Sequence, residues 1–467
     1  MSQATSQSGR QAALQQAVST IKNGQFIETL TRRVAFASES QNPSASAELM
    51  KYLTDEIQPT LVKLGFECEI FANPMASCPP LLIAKRIEGE SLPTLLTYGH
   101  GDVTNGQAEL WQEGTHPWEL SQIGEKIFGR GTADNKGQHT INLLALESVL
   151  NAREGKLGYN VKILFEMSEE VGSKGLELFC HEQKESLKAD LFLASDGPRL
   201  NAQTPTIFLG SRGVCQFRLR CETGNGVRHS GNWGGVITNP VTRLQHALSS
   251  LTTADGRITA ECLRAPLPSG LTAEMMRELT VGGYAGDPTL NDQWGEKELT
   301  AGERLFGCNT LEVIALGAGD IQKPIGAIPD VAEAVCHLRI VPGTDWHNLV
   351  ANLSTFLEEK GLGDVKVIFE GGYSATRLDP THPWVGFVKR SMETSLEQTV
   401  TVLPNLGGTI PNHCFADVLA LPTVWMPHSY PSCKQHAPDE HLLESVVEQG
   451  LLAAAGLLWD LGEHWPE

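Results

Sequence analysis

Residues 166–174 read Glu166-Met-Ser-Glu-Glu-Val-Gly-Ser-Lys174. The stretch follows a strand-like run at 159–165 and precedes a helix-like run at 174–183, which predicts a turn at the exit of a β-strand. In α/β sheets, ligands bind at this edge. Because adjacent side chains on extended backbone point in different directions, one of Glu169 and Glu170 can bind a metal ion while the other faces a substrate. An isolated pair of glutamates is more often a solvated acidic loop, so the interpretation depends on the rest of the chain.

The composition argues against several classes of protein. The 467 residues are 41% hydrophobic and 19% charged, as in a globular protein of two or three domains. The formal charge of −19 arises from 36 Lys and Arg against 55 Asp and Glu. This charge argues against a nucleic-acid or anionic-membrane partner, because such partners need a basic surface.

Three features of the sequence predict a cytoplasmic protein. No apolar run reaches the length of a membrane span. Residues 1–20 are polar and lack the apolar core of a signal peptide. The ten cysteines show no zinc-type Cys-x-x-Cys spacing, which favours reduced thiols in a cytoplasm.

An apolar strand, Thr94-Leu-Leu-Thr-Tyr-Gly-His-Gly-Asp102, brings a histidine and an aspartate to its end. This spacing is typical of metal sites, where an imidazole binds the metal through one nitrogen and a carboxylate fixes the other. The alternative is a strand-end histidine that is satisfied by an ordinary hydrogen bond.

Two more carboxylates follow turn or strand signals. Asp134 lies in the glycine-rich stretch 129–137, just ahead of a helical run that extends to about residue 152. Phosphate binding is the alternative for such a turn, but the stretch lacks the Walker spacing and Asp134 would repel a phosphate. Asp196 ends a further strand at 189–196. The pattern therefore predicts that four successive strand ends bring one group of side chains to a single sheet edge: His100, Asp134, Glu169 with Glu170, and Asp196.

The middle of the chain predicts a separate α+β unit. A strand is expected at 207–220, a Gly- and Pro-rich insertion at 255–310, and a strand–helix–strand order from 332 to 370. Turn residues gather near Thr206 and Gly372. We therefore expect a catalytic domain formed by residues 1–206 and 373–467, interrupted by a lid or dimerisation domain at 207–372.

The last part of the chain returns to the catalytic unit. A helix is expected at 382–398, a glycine turn at 407–411 and a strand at 423–426. The stretch Gln435-His-Ala-Pro-Asp-Glu440 is expected to open the final helix, with His436 as one more metal ligand. The alternative for His436 is a capping or packing histidine.

These motifs together resemble a known family. It is the family of dinuclear zinc metallopeptidases that includes carnosinase-like dipeptidases, aminoacylase, acetylornithine deacetylase, succinyl-diaminopimelate desuccinylase and the bacterial glutamate carboxypeptidase. The long insertion in the lid is most similar to the carnosinase branch. The resemblance implies an α/β fold, with a zinc-peptidase-like catalytic domain, a central mixed sheet flanked by helices, and an inserted α+β lid. The motifs that carry it are Gly99-His-Gly-Asp102, Arg130-Gly-Thr-Ala-Asp-Asn-Lys-Gly137, Ser168-Glu-Glu-Val-Gly172, Ser195-Asp-Gly197, His229-Ser-Gly231, Leu338-Arg-Ile-Val-Pro-Gly343, Gly407-Gly-Thr-Ile-Pro411 and His436-Ala-Pro-Asp-Glu440.

The resemblance implies two divalent metal ions per subunit. Asp134 would bridge both ions, His100 and Asp196 would complete one site, and Glu170 and His436 would complete the other. Nitrogen and oxygen donors of this kind suit zinc, and manganese or cobalt are alternatives.

The resemblance also implies the catalytic residues. Asp102 would orient His100, and Glu169 would be the general base for a water between the two ions. This chain departs from the family at Asn135, where carnosinase-like members more often carry a second Asp. The peptide bond between Asp134 and Asn135 is expected to be cis, as in relatives.

The lid is expected to supply the substrate contacts. The resemblance assigns an oxyanion donor to His229, which would reach the metal site of a neighbouring subunit in a homodimer. Arg339, with Gly408 and Thr409 of the glycine turn, would hold a free carboxylate of the substrate. The alternative for Arg339 is an arginine in a surface ion pair.

The sequence leaves three functions open. The first is a dipeptidase that cleaves the amide bond of dipeptides or small peptides with a free carboxylate. The second is an N-acyl-amino-acid amidohydrolase, a deacylase with the same dinuclear site. The third is a metal-free binding or scaffold protein on the same fold, which would require a lost ligand, whereas all five ligands and Glu169 are present.

Overall fold

Two large β-sheets that share no strand organise the chain in the computed structural model. The structure describes residues 3–283 and 287–466, so the first and last residues of the expected catalytic domain lie outside it. In chain order the strands are β1 (Glu67–Phe71), β2 (Leu81–Arg86), β3 (Thr94–His100), β4 (Ser121–Ile123), β5 (Lys126–Phe128), β6 (Asn160–Glu166), β7 (Leu191–Ala194), β8 (Thr206–Phe208), β9 (Gly213–Glu222), β10 (Arg228–His229), β11 (Thr310–Gly317), β12 (Ala327–Ile328), β13 (Val331–Ile340), β14 (Val365–Tyr373), β15 (Thr401–Leu403), β16 (Thr423–Trp425) and β17 (His441–Leu443).

The helices cover the faces of these sheets. In chain order they are α1 (Gln3–Lys22), α2 (Gln25–Val34), α3 (Ser46–Lys51), α4 (Gln58–Lys63), α5 (Lys136–Ala152), α6 (Leu176–Glu182), α7 (Lys184–Leu187), α8 (Ser230–Trp233), α9 (Pro240–Leu251), α10 (Gly270–Glu278), α11 (Ala301–Gly307), α12 (Leu349–Glu359), α13 (Pro383–Leu396) and α14 (Glu444–Leu461). A π-helical segment, Tyr52–Ile57, joins α3 to α4. No helix among the described residues is long and apolar enough to cross a membrane.

The larger sheet has eight strands in the order β1-β2-β6-β3-β7-β16-β8-β15. Its centre, from β6 to β16, is parallel, and antiparallel pairs flank it. Parallel strands covered on both faces carry nearly continuous apolar runs, and β7 is buried at every residue. Leu191 and Leu193 face a core formed with α1, α5 and α14, whereas Phe192 faces a second core that contains α6 and Trp425.

The smaller sheet has four strands in the order β11-β13-β9-β14. Burial alternates residue by residue along β9 and β13, as expected for a sheet with one face on a core and one in water. The buried face packs against α9 and α12, through Leu244 and Leu353 among others. This third core is separate from the two cores of the larger sheet. Met276 and Phe306 of the insertion pack instead in the core around Trp425.

Two chain segments connect the sheets and lie side by side. Leu378 N–H donates to the carbonyl of Leu209 (2.7 Å), and Thr376 N–H donates to the carbonyl of Ser211 (3.0 Å). Glycine is required at Gly210, because a Cβ there would lie 2.2 Å from the carbonyl oxygen of Thr376. The chain thus leaves and re-enters the central sheet through one hydrogen-bonded pair of segments.

Most of the expected strands occur within one or two residues of the predicted bounds, but two local predictions are wrong. The strand expected at 207–220 is two strands, because the chain leaves the central sheet after Phe208 and enters the smaller sheet at Gly213. The stretch 435–440 does not open the final helix. The strand His441–Leu443 lies between this stretch and the final helix and pairs with β5, and α14 begins at Glu444.

Candidate metal centre

Three neighbouring strands of the central sheet end at the candidate site. The strands β6, β3 and β7 are adjacent and parallel, so their carboxyl ends lie at one edge. His100 is the last residue of β3, Glu169 and Glu170 lie in a 3₁₀ turn after β6, and Asp196 follows β7. Asp134 does not follow a strand of this sheet, contrary to the prediction of four strand ends. It lies in the turn just before α5.

The five predicted metal ligands form two groups that share Asp134. In the first group, His100 Nε2 lies 3.0 Å from Asp134 Oδ1 and 3.8 Å from Asp196 Oδ2. In the second, His436 Nε2 lies 3.0 Å from Asp134 Oδ2 and 3.0 Å from Glu170 Oε2. Because each Asp134 oxygen faces a different group, this carboxylate has the orientation that a bridging ligand needs.

Burial and mutual repulsion perturb the acids of this cluster. Burial, with Asp134 next, raises the pKa of Glu170 to about 7 and that of Asp196 to about 6. Burial also opposes ionisation of Asp134, but His100 and His436 outweigh it and hold the pKa of Asp134 well below its ordinary value. Within the part of the chain that the structure describes, histidines are the only ion-pair partners of these three carboxylates. Carboxylates crowded in this way favour a bound cation.

The donor set fits two divalent cations. Three carboxylates and two imidazoles supply oxygen and nitrogen ligands, and the ligand atoms of each group lie within 4.8 Å of one another. Such donors suit zinc, manganese or cobalt better than a soft, thiolate-binding metal. The arrangement can therefore hold two cations on either side of Asp134.

Asp102 connects the two glutamates to His100. Its Oδ1 lies 3.3 Å from His100 Nδ1, and the backbone carbonyl of Asp102 lies 3.0 Å from the same nitrogen. Its two carboxylate oxygens also accept hydrogen bonds from the N–H groups of Glu169 and Glu170, each at 3.1 Å. This buried carboxylate thus holds the imidazole and the acidic turn in one relative position.

The turn that carries Asp134 is built by close backbone contacts. A Cβ at Gly137 would lie 1.8 Å from the carbonyl oxygen of Thr132, so only glycine fits there. The amide of Asn135 donates to the carbonyl of Ser195 (2.8 Å), next to Asp196. An ionised aspartate at position 135 could not donate this bond. The peptide bond between Asp134 and Asn135 is cis, as the resemblance implies.

Glu169 faces a cavity of about 400 Å³ together with the carboxylates of both groups. Burial, opposed by His100, raises the pKa of Glu169 well above its ordinary value, and Asp196 and Glu170 add to the rise. Gly408, Thr409 and Tyr373 line the same cavity. A molecule in this cavity would contact ligands of both groups, the carboxyl group of Glu169 and the glycine turn.

Arg339, on the smaller sheet, contacts Thr409 in the lining of this cavity. Its Nη1 donates to Thr409 Oγ1 (2.8 Å), and the side chain lines an adjoining cavity of about 640 Å³. The structure does not support the surface ion pair considered for Arg339: within the described ranges 3–283 and 287–466 no carboxylate pairs with it, and burial alone lowers its pKa. It is a half-buried cation that is free to bind an anion.

His229 is not part of the cavity in this chain. It is exposed, caps the short helix α8 through Gly231 N–H (3.1 Å), and is absent from the described residues that line either cavity. The structure thus separates His229 from the other predicted site residues.

Three residues that support or line the site were not predicted from the sequence. Glu166, fully buried at the end of β6, accepts hydrogen bonds from Ser168 (3.1 Å) and Ser173 (2.9 Å) and so holds both ends of the acidic turn. Tyr373 donates its hydroxyl to the Gly172 carbonyl. Glu166 could have been found from the sequence, because it is an acid that ends an apolar strand, Asn160–Glu166. The third residue is Gln435, which donates to Asp134 Oδ2 at 3.3 Å.

Fold and site together define an α/β protein with a candidate dinuclear metal centre at the carboxyl edge of its sheet. Residues 96–460 match the model of Peptidase family M20/M25/M40. Because the match covers more than half of the chain, this chain belongs to that family. The resemblance inferred from the sequence motifs is confirmed.

Relatives of known activity support this assignment. The chain is 29% identical over 249 residues to Beta-Ala-His dipeptidase of Rattus norvegicus, and this match covers 50% of the chain and 49% of the relative. It is 31% identical over 252 residues to a Cys-Gly metallodipeptidase of Schizosaccharomyces pombe, which covers 51% of each. Both matches span about half the length of these curated relatives. A longer match is to the cysteinylglycine-S-conjugate dipeptidase of Corynebacterium striatum, 29% identical and covering 91% of the chain and 92% of the relative.

Solved structures confirm the predicted fold class. Human carnosine dipeptidase 1 superimposes with a TM-score of 0.76 at 22% identity, over 97% of this chain and 99% of that chain. The M20 metallo-carboxypeptidase Sso-CP2 of Sulfolobus solfataricus gives 0.79 at 22% identity, over 94% and 99%. The chain has their fold, with a central mixed sheet, flanking helices and an inserted α+β unit.

The first test concerns the shared carboxylate. Asp134→Ala should release both ions, because each group loses an oxygen, whereas Asp196→Ala should weaken mainly one. The measurement is metal content per chain after dialysis against a fixed low concentration of free zinc. Two ions retained by the Asp134→Ala protein would contradict the bridging role.

Proposed function

We propose that this protein is a metal-dependent dipeptidase. The observation that carries the proposal is the pair of donor groups sharing Asp134, beside Glu169, in a cavity that the glycine turn 407–411 also lines. Dipeptides are the substrates named for the three relatives above. Zinc is the proposed metal, with manganese or cobalt as alternatives, held by His100, Asp134, Glu170, Asp196 and His436.

Glu169 is the proposed general base. Two cations held by the five ligands would supply positive charge that polarises an amide carbonyl and lowers the pKa of water. Glu169 accepts a proton from the attacking water and delivers it to the leaving nitrogen. Asp102 holds Glu169 in a fixed position relative to His100, because it binds both the Glu169 N–H and the imidazole. The raised pKa of Glu169 suits a residue that must both accept and release a proton.

Arg339 and the glycine turn are the proposed carboxylate site. Arg339 has no carboxylate partner in its described surroundings and donates to Thr409, which lines the metal cavity together with Gly408. The two cavities share Gly172 and Tyr373, so a short peptide can extend from the metals toward Arg339. A guanidinium can bind the peptide's terminal carboxylate through two hydrogen bonds.

A homodimer with a shared active site is proposed from the surface of the smaller sheet. The edge strand β11 exposes Val313, Ile314 and Leu316, and a long exposed edge of this kind favours pairing with another chain. Near His229, Val236 is 77% exposed and Ile325 is 73% exposed. A second copy that covers these side chains could carry its His229 to the metal cavity, where an oxyanion donor must lie about 3 Å from the developing charge.

The division into domains and the cellular location are also proposals. The separate core of the smaller sheet supports a lid at 207–372 within a catalytic domain at 1–206 and 373–467, although Thr206–Phe208 still pairs in the central sheet. The ten cysteines are free, which supports a reducing compartment such as the cytoplasm.

A panel of substrates tests the proposed function. The protein, loaded with zinc or manganese, should hydrolyse dipeptides with a free carboxylate faster than the matching dipeptide amides and N-acetyl amino acids. The preference for the carboxylate should fall in Arg339→Met. Faster release of acetate than of amino acids would instead make the protein a deacylase. No hydrolysis of any substrate by metal-loaded protein would contradict both enzymatic functions.

Two adjacent substitutions test the general base. Glu169→Gln keeps the volume but removes the proton acceptor, so turnover should fall at least about 10²-fold while both ions stay bound. Glu170→Gln is the matched control and should release metal. Loss of metal from the Glu169→Gln protein would show that the two roles are exchanged.

Subunit mixing tests the role of His229. Glu169→Gln and His229→Ala proteins should each be inactive, and their mixed dimer should recover about half of the wild-type turnover, because one of its two sites takes an intact residue from each chain. The measurement uses differently tagged chains, refolded together and purified through both tags. Mixed dimers without activity would show that His229 does not act across subunits.

A further inference from the structure

One buried carboxylate outside the predicted ligand set directs all its hydrogen bonds to a single turn. Glu440 is 1% exposed. Its Oε1 accepts from the N–H groups of Ala133 (2.8 Å) and Asp134 (3.0 Å). Its Oε2 accepts from the N–H of Gly131 (3.0 Å) and from Arg130 Nη1 (2.9 Å). This is the turn that carries the shared carboxylate of the two metal groups.

The same segment also carries the histidine of the second group. His436 precedes Glu440 by four residues, and Gly129 N–H donates to the backbone carbonyl of Glu440 (3.1 Å). Asp134 and His436 are 302 residues apart in sequence, yet their ligand atoms lie 3.0 Å apart. The contacts of Glu440 link the backbone of the Asp134 turn directly to the segment that carries His436.

We infer that Glu440 is a positioning residue that sets the separation between Asp134 and His436 and thereby the affinity of the site for metal. The inference rests on the proposed metal centre, but not on the substrate. Glu440 binds no ion itself. It acts through the main chain of the turn, by holding the Asp134 backbone against the His436 segment.

A carboxylate is required by the chemistry of its partners. The four groups that face Glu440 are all N–H donors, and an ionised carboxylate is a pure acceptor with room for four. A glutamine at this position would direct its own amide hydrogens toward Gly131 and Arg130. An aspartate would keep the charge, but its shorter side chain could not reach both pairs of donors.

A buried ion pair that serves only the fold is the competing explanation, and the chain contains a matched control. Glu56 pairs with Arg33 at 3.1 Å, with side-chain exposures of 7% and 1%. Like the Arg130–Glu440 pair, it lies inside the catalytic unit, but it does not contact the metal ligands. Glu56→Gln should lower thermal stability without changing metal binding.

The experiment measures metal affinity without substrate. Glu440→Gln and Glu440→Asp proteins, checked by circular dichroism, are titrated with zinc against a competing chelator, and Glu56→Gln is treated in the same way. Both changes at position 440 should weaken zinc binding about 10- to 100-fold, the range found when partners of metal ligands are removed. Glu56→Gln should bind zinc as the wild type does.

Three results would overturn the inference. Wild-type affinity in every folded variant at position 440 would show that Glu440 serves stability alone. Wild-type affinity in Glu440→Asp with a loss in Glu440→Gln would show that charge acts rather than position. An equal loss in Glu56→Gln would show a general effect of destabilisation. None of these results depends on peptidase activity, so a failure of this inference can be distinguished from a failure of the proposed function.

Discussion

The structure depends on placing several buried carboxylates within a few ångströms of one another. Asp134 directs one oxygen to His100 and the other to His436, and Glu170 and Asp196 complete the cluster. Buried like charges are costly unless positive charge offsets them, and only histidines pair with these acids in the described part of the chain. The arrangement therefore favours a bound cation. The sheet edge, the turn before α5 and the C-terminal loop converge to hold it.

The sequence predicts the parts of this site that follow local rules. The strand that ends at His100 is mostly apolar and the strand before Asp196 is entirely so, so both strand ends could be predicted from the sequence. His436 was predicted as a ligand from its place ahead of an expected helix, but that helix begins only at Glu444. The pairing of His436 with Glu170 in one metal group came from the family resemblance alone. The sequence placed Glu440 in a motif shared with the family. It gave no indication that Glu440 accepts hydrogen bonds from backbone N–H groups of a turn as far as 306 residues away.

The errors in the sequence analysis arise where distant pairing decides the backbone. Residues 207–220 alternate like one strand, but hydrogen bonds from Thr376 and Leu378 divide the run between two sheets. The strand His441–Leu443 forms because it pairs with Lys126–Phe128, and nothing within its own sequence distinguishes it from the first turn of a helix. Asp134 sits in a turn rather than at a strand end for a similar reason, since Asn135 and Glu440 fix that turn through tertiary contacts.

The smaller sheet contacts the cavity through Arg339 and Tyr373 but not through His229. Arg339 and Tyr373 contact the turn residues Thr409 and Gly172 within one chain, so the proposed carboxylate site needs no second chain. His229 lies instead on an exposed apolar surface and caps its own short helix. The two hydrogen-bonded connections and these side-chain contacts hold the smaller sheet against the central sheet, and moving His229 into the cavity of its own chain would break them. In the proposed homodimer, a second chain would bring the histidine there without breaking those contacts, because the surface around His229 is exposed in a single chain.

Buried acids outside the ligand set serve a common purpose in this site. Asp102 accepts from the N–H groups of Glu169 and Glu170, and Glu440 accepts from those of Ala133 and Asp134. Metal ligands placed on turns leave N–H donors that no helix or strand satisfies, and each unpaired donor would cost about 1–3 kcal/mol. Side-chain amides or hydroxyls would bring donors of their own, whereas an ionised carboxylate only accepts. The irregular backbone that lets ligands converge from distant parts of the chain therefore requires acids behind them, so the excess of negative charge at this site follows from its geometry as well as from its need for cations.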